Sequence, residues 1–258
     1  MPTVHELLSY LDGLFPPATA CLDDPVGLCL GPCDMEVTGI TLAVDVTCAA
    51  IEAAVARGHN FLFAHHPPLY RAVTTLTHPS ATVLLYAAAK GIAVYAAHTN
   101  LDAHATLGTN PALAAWFSGQ IVGSLEPTDD GLLRGSIARV DLSREDFLAR
   151  LNQYSPNVLT DGLPDRLHTI ALWPGAGCGD DQLAAALALA QGCQALVLGD
   201  ADLHLWRHAR DNGMGLVAAG HYHTEFGALA LVQKALQKAG IGVYCLDVFE
   251  DEPYTRQG

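Results

Sequence analysis

The sequence predicts an α/β protein composed of two α/β domains. Short apolar runs alternate with helical patterns along the first half of the chain, and the same alternation returns in the second half. A segment rich in proline, glycine and acidic residues separates the two halves. The chain has 258 residues, of which 50% are hydrophobic, so it is long enough to bury a substantial core.

In the first half, helix patterns connect successive strand patterns. The expected elements are a strand at 40–47, a helix ending at Gly58, a strand at 61–64, a helix ending at Gly91 and a strand at 92–97. Single helices between strands imply crossover connections. We therefore expect largely parallel pairing.

The second half repeats this order of elements. The expected elements are a strand at 167–173, a helix around 180–192, a strand at 195–200, a helix through 203–213, an apolar run at 215–220, a long helix at 226–240 and a last strand at 242–248. The composition changes at 124–135, where we place the domain boundary. The first domain is expected at 1–123, completed by about 212–258, and the second, smaller domain at 124–211.

Charge and composition exclude several classes of protein. Thirteen basic and twenty-seven acidic residues give a formal charge of −14, which argues against an extended nucleic-acid surface. The sequence has no apolar run near the ~20 residues of a membrane helix, and its N-terminus lacks the basic region of a signal peptide. The seven scattered cysteines form no C-x-x-C pair. We expect a cytoplasmic protein with reduced thiols and no membrane partner.

Polar side chains cluster where the apolar runs end. In parallel α/β sheets, ligands bind outside the carboxyl ends of the strands, so these clusters are expected to converge on one site. They are His65 and His66 after the second strand, His98 and Asp102 after the third, Asp200 and His204 at the end of the 195–200 strand, and His221 and Glu225 after the 215–220 run.

The residue types in these clusters indicate a metal site. Imidazoles and carboxylates without thiolates suit zinc, manganese or iron. His65 and His66 would diverge on a regular strand and so serve two neighbouring ions. His221 and Glu225 stand four residues apart at a helix start and can reach one centre, while Asp102 or Glu225 can bridge two cations about 3.5–4 Å apart.

For His98, two roles remain open. It either ligates a metal, or it orients Asp102 and a bound water. A lone histidine at a strand end is more often a structural residue, and this simpler interpretation applies to His5, His59, His78, His104, His168 and His208.

Together these motifs resemble the GTP cyclohydrolase 1 type 2 homologues, the YbgI-like proteins. The similarity runs from about residue 24 to residue 225 and is carried by AVDVT, FAHHPPLY, AHTNLDA, LGDADLH and AGHYHTE. It implies two α/β domains with a dinuclear metal site in the cleft between them and a toroidal homohexamer. The positions that match the family's metal-ligand pattern are His65, His66, Asp102, His221 and Glu225.

The chain also departs from the family in two places. Asp24-Pro25 stands where the family commonly has an Asp-Asn pair, and the segment between Asp102 and His221 is too short for the large insert domain of some members.

The leading functional hypothesis is a metal-dependent hydrolase with two divalent ions per subunit and a small-molecule substrate. In it, His98 or His204 acts as general acid or base, and the family label would make the substrate a guanine nucleotide. The alternative is a non-catalytic ring scaffold or regulator that binds metal or another ligand, because the same five ligands would serve either purpose.

Overall fold

The protein divides into two compact units. The first comprises residues 1–101 and 229–258, and the second comprises 102–228. The computed structural model describes residues 2–126, 132–176 and 181–245. Both units combine helices with a sheet, which confirms the predicted α/β class.

Short strands alternate with helices along the chain. The strands are β1 Gly27–Leu30, β2 Ile40–Ala43, β3 Phe61–Ala64, β4 Ala93–Ala96, β5 Gln120–Glu126, β6 Arg134–Ser143, β7 Leu159–Asp161, β8 Arg166–Trp173, β9 Ala195–Leu198, β10 Gly215–Ala218 and β11 Val243–Cys245. The α-helices are α1 Val4–Leu14, α2 Cys48–Ala56, α3 Pro79–Ala89, α4 Thr99–Asp102, α5 Thr109–Trp116, α6 Arg144–Tyr154, α7 Asp181–Ala190, α8 Leu203–Asp211 and α9 His221–Lys238.

The first unit contains a sheet in the order β1-β4-β3-β2-β11. Four of its strands are parallel as expected, whereas β1 runs antiparallel to β4 with Gly27 opposite Ala96. The carboxyl ends of β2, β3 and β4 therefore lie at one edge of the sheet, and β1 begins at that same edge. Residues just before β1 and just after β2, β3 and β4 come together there.

Both faces of this sheet are covered. Leu62 and Val94 pack into a cluster with residues of α2 and α3, while Phe63 and Tyr95 lie on the opposite face with ring centroids 5.7 Å apart. Burial on both faces explains why β2, β3 and β4 read as continuous apolar runs. Each fully buried large side chain stabilises the fold by about 1.5–3 kcal/mol, which makes the strand ends a rigid support.

The second unit contains a mixed sheet in the order β5-β6-β8-β9-β10-β7. Its centre, β8-β9-β10, is parallel, and β5, β6 and β7 pair antiparallel. Alternate residues of the central strands enter two clusters: Leu172 and Val197 pack in one, Trp173 and Leu198 in the other. The carboxyl ends of three adjacent parallel strands thus share one edge here as well.

The chain passes from one compact unit to the other at Leu101 and at Leu229. The domain bounds expected near 123 and 212 stay a prediction. Strand pairing, which periodicity does not reveal, determines the unit to which a strand belongs. Strand β5 pairs with β6, and β10 pairs with β9 and β7, so both strands belong to the second unit. Residues 127–131, within the segment expected to separate the domains, lie outside the described residues.

Several elements start or stop earlier than their patterns suggest. Strand β2 ends at Ala43 instead of residue 47, because Thr47 caps α2 and accepts a hydrogen bond from the Ala50 backbone N–H at 3.0 Å. Helix α9 begins at His221, five residues before the expected start. The expected end of the last strand, 246–248, lies outside the described residues.

No helix in the described ranges has the length and apolar character needed to cross a membrane.

Candidate metal centre

Three histidines of the first unit converge at the carboxyl edge of its sheet. His65 and His66 directly follow β3, and His98 follows β4 by two residues. Their ring centroids lie 4.8–5.5 Å apart, and one ligand nitrogen from each ring lies within 4.8 Å of the others. Such a group of imidazoles could hold a metal ion.

The chain bends at His65 and His66, so the divergence of their side chains expected on a regular strand does not occur. The backbone N–H of His66 donates to the Val44 carbonyl oxygen at 2.8 Å, beyond the last residue of β2. The two side chains consequently do not diverge as they would on a regular strand, and their rings stand 4.8 Å apart.

Each of the three rings directs Nδ1 at an oxygen acceptor. His65 Nδ1 lies 3.0 Å from the backbone carbonyl oxygen of Ala97, and His66 Nδ1 lies 2.9 Å from Asp45 Oδ1. A carbonyl oxygen only accepts, so His65 carries its proton on Nδ1 and its lone pair on Nε2. The same tautomer follows for His66 beside a carboxylate. Histidines that ligate metals are held in this way by their second nitrogen.

His98 is held by the carboxylate of Asp24, which lies just before β1. His98 Nδ1 stands 2.9 Å from Asp24 Oδ1, and the Thr99 backbone N–H and hydroxyl donate to Asp24 Oδ2. The Asp24 side chain is 2% exposed. Burial by itself would raise the pKa of Asp24, but the hydrogen bonds from His98 and Thr99 outweigh it, and the pKa is lowered. Asp24 is therefore an ionised, oriented acceptor.

In the second unit, His221 and Glu225 form a pair on the first turn of α9. His221 Nε2 lies 3.1 Å from Glu225 Oε1, and His221 Nδ1 lies 2.7 Å from Asp200 Oδ2 at the end of β9. Glu225 is only 5% exposed. The i,i+4 spacing places the imidazole and the carboxylate on one helix face, as expected.

Asp102 belongs to the second unit and is oriented by the start of α5. The Thr109 hydroxyl donates to Asp102 Oδ1 at 2.7 Å, and Asn110 Nδ2 donates to the Asp102 carbonyl oxygen at 3.4 Å. Thr109 and Asn110 are both buried, at 1% and 2% exposure. One oxygen of this half-buried carboxylate is thus engaged by a fixed donor.

Two cavities open beside His66 in the first unit. The one that His66 lines measures about 330 Å³ and includes Asp45 and Val83. Its neighbour measures about 490 Å³ and contains Arg71 and His78. The two cavities share lining residues, which are Pro67, Pro68 and Ser80.

The model of the Duf34/NIF3 (NGG1p interacting factor 3) family matches residues 2–252, nearly the whole chain. The chain belongs to the DUF34/NIF3 family. This finding confirms the resemblance read from the histidine and carboxylate motifs.

Relatives and solved structures agree with the family assignment. Some proteins named GTP cyclohydrolase 1 type 2 homolog are similar to this chain over most of their length: one from Streptomyces coelicolor is 31% identical over 241 residues, covering 88% of this chain and 82% of the relative. One from Nostoc sp. is 28% identical over 235 residues and 86% of each chain. A crystal structure of a Staphylococcus aureus hypothetical protein has the same fold, with a TM-score of 0.86, 24% identity and 98% of both chains covered.

Within this DUF34/NIF3 chain, sequence reasoning found the histidines but missed most of the groups that hold them. Asp24 and Asp45 were not selected, although Asp45 lies in the AVDVT motif and Asp24 beside the Asp24-Pro25 departure. Asp200 belongs to one of the predicted strand-end clusters but had no assigned role, and its carboxylate lies beside His221 Nδ1. His204 is exposed on the first turn of α8, and its role in proton transfer stays a prediction.

Proposed function

We propose that this DUF34/NIF3 protein is a metal-dependent hydrolase that binds two divalent ions through His65, His66, Asp102, His221 and Glu225. The observation that supports the proposal is the orientation of the imidazoles. The Nδ1 atoms of His65, His66 and His221 each face a carbonyl or carboxylate oxygen at 2.7–3.0 Å. Fixed rings of this kind are typical of histidines that present Nε2 to a metal.

The donor set fits divalent ions of borderline hardness. Imidazole nitrogens and carboxylate oxygens suit zinc, manganese or iron, and no thiolate is among the five residues. The 3.1 Å separation of His221 Nε2 and Glu225 Oε1 suits a hydrogen bond, and it equally suits two ligands of one ion. Oxygen and nitrogen ligands at about 2.1 Å from one ion stand about 3.0–3.4 Å apart.

Two bound cations would lower the pKa of a water molecule toward neutrality and polarise a substrate oxygen. In this proposal His98 moves the proton: Asp24 fixes its Nδ1, which leaves Nε2 to accept the proton. The side chains of His66 and His98 are 25% and 17% exposed, so solvent and a small substrate reach them. This access favours a hydrolase over a closed, purely structural metal site.

The cavities beside His66 favour an anionic small molecule as substrate. None of the described residues that line the 490 Å³ cavity is acidic, and Arg71 in it makes no ion pair with another described residue. The Ser80 backbone N–H donates to His78 Nδ1, so His78 carries its own proton on Nε2 and is a donor there. A phosphate or carboxylate group would match these donors. The guanine nucleotide implied by the family label is one such anion.

We also propose that the chain assembles with itself into a toroidal homohexamer and acts in the cytoplasm. The family resemblance supports the ring, and the composition supports the location. Light scattering on the purified protein tests the ring: we expect a mass six times that of the 27.2 kDa chain. A monomeric or dimeric mass would contradict it.

Elemental analysis of protein purified without added metal tests the metal site. We expect close to two divalent ions per chain in the wild type and fewer ions per chain in His65→Ala and Glu225→Ala. His168→Ala, which removes an exposed histidine of β8 outside the site, is the control and should retain the metal. A wild type that binds no divalent ion when metal is supplied would refute the proposal.

Turnover assays on the metal-loaded protein test hydrolysis separately. The panel contains GTP, phosphoesters and cyclic amides, with an unrelated dinuclear hydrolase as positive control. We expect turnover that a chelator abolishes and that His98→Gln reduces by about 10²–10⁴-fold, the usual contribution of a general acid or base. Full metal loading without turnover of any compound would support the scaffold alternative instead.

A further inference from the structure

Gly175 lies against the metal-ligand pair of the second unit. It follows β8 after Pro174, is buried, and has a φ of +67°, in the left-handed region that favours glycine. A Cβ atom at this position would stand 2.1 Å from Glu225 Oε1 and 3.3 Å from His221 Nε2. The Glu225 carboxylate thus occupies the space that any other residue would fill.

The backbone of Gly175 also links the loops that carry the site. Its N–H donates to the Thr224 hydroxyl on α9 at 3.0 Å, and its carbonyl oxygen accepts from the backbone N–H groups of Gly199 and Asp200 at 2.9 and 3.2 Å. Asp200 in turn holds His221 Nδ1. The segment after β8 is therefore hydrogen-bonded to α9, which carries His221 and Glu225, and to Asp200, which orients His221.

We infer that Gly175 is a positioning residue that fixes the Glu225 carboxylate for metal binding, an inference that rests on the proposed metal site. The inference depends on which atom a side chain at position 175 would contact. Oε1 is the far end of a flexible side chain, so a methyl group at 175 would be accommodated by rotation of the carboxylate while β8 and α9 stay in place. The fold would survive, and the ligand would be misplaced.

Gly175→Ala tests this inference, with Gly213→Ala as its matched control. Gly213 has nearly the same backbone conformation, with a φ of +66°, so alanine is equally unfavourable there, but a Cβ at Gly213 would meet nothing within 4 Å. We expect both variants to lower the thermal unfolding temperature of the metal-free protein by a similar amount. Only Gly175→Ala should weaken zinc binding, by about 10–100-fold in a chelator competition titration, the usual cost of misorienting a metal ligand.

A spectroscopic signature and a double-mutant cycle separate positioning from general damage. Cobalt(II) bound to Gly175→Ala should show shifted d–d absorption bands, while Gly213→Ala should give the wild-type spectrum. In a Glu225→Ala background, Gly175→Ala should cause no further loss of zinc affinity, because the carboxylate it displaces is gone.

The outcomes distinguish this inference from the proposed function. A wild type that binds no metal overturns both. A wild type that binds metal, together with a Gly175→Ala variant that binds it equally well, overturns only the role of Gly175. If Gly175→Ala costs the same zinc affinity in the wild-type and Glu225→Ala backgrounds, that role is overturned too, since the effect would not act through the Glu225 carboxylate.

Discussion

The hydrogen bond between His66 and Asp45 offers a direct way to weaken metal binding while leaving the fold intact. In Asp45→Asn, the amide oxygen still accepts from His66 Nδ1 at about the same position, but the negative charge is lost. A hydrogen bond to a charged group contributes about 1.5–3 kcal/mol and a neutral one about 0.5–1.5 kcal/mol, so the change costs about 1 kcal/mol. The side chains of Asp45 and His66 are 40% and 25% exposed, so solvent screens their interaction and the loss of free energy stays near 1 kcal/mol.

A loss of about 1 kcal/mol corresponds to a roughly fivefold weaker Kd for the metal. The assay is a competition titration of the metal-free protein against a chromophoric chelator with zinc or manganese. Asp34→Asn is the matched control, because it removes one negative charge from an exposed position of the same unit. If Asp45→Asn and Asp34→Asn bind the metal equally tightly, Asp45 does not hold His66 for a metal.

Three further predictions concern other residues. Thr109→Val removes the donor to Asp102 and should lower metal affinity in the same titration, whereas Thr109→Ser should retain it; equal Kd values for the two variants would contradict the role of the hydroxyl. Burial lowers the pKa of His59, so the unfolded chain takes up a proton first, and the free energy of unfolding should fall as pH drops below about 6.5. His59→Gln should make the free energy of unfolding less dependent on pH, as measured by denaturant titrations at pH 5–7.5. If the free energy of unfolding depends on pH equally in the wild type and the variant, His59 is not the group responsible. Arg71→Ala should raise the KM of an anionic substrate about tenfold through loss of a charged hydrogen bond, whereas Arg207→Ala, which removes an exposed arginine of α8, should leave it unchanged; equal KM values for the two variants would show that Arg71 does not contact the substrate.

The central strands were predictable because burial on both faces leaves a clear sequence pattern. The apolar run at 61–64 coincides with β3, and the parallel order of β2, β3 and β4 follows from the helices between them. Strand β1 was not predicted, since its residues are only half-buried and its antiparallel pairing with β4 depends on contacts distant in sequence. Strand β5, whose partner is β6, was not predicted either.

The candidate ligands were predictable from where they fall relative to strand ends, but their supporting acceptors were less so. His65, His66 and His98 follow strands in the parallel part of the sheet, where polar residues are expected to gather. Asp24 reaches His98 only because β1 runs antiparallel to β4 and begins at the same edge, although the two residues are 74 positions apart in sequence. No local pattern encodes that contact.

The histidines differ in how easily mutation could release them. The ring of His65 is held by the main-chain carbonyl of Ala97, which no side-chain substitution deletes, whereas the other rings depend on the carboxylates of Asp24, Asp45 and Asp200. A saturation mutagenesis screen scored by metal retention should therefore find sensitive support positions at these three aspartates. At position 97 the acceptor is part of the main chain and stays in place whatever the side chain, so the screen should find no loss there that comes from deleting the acceptor.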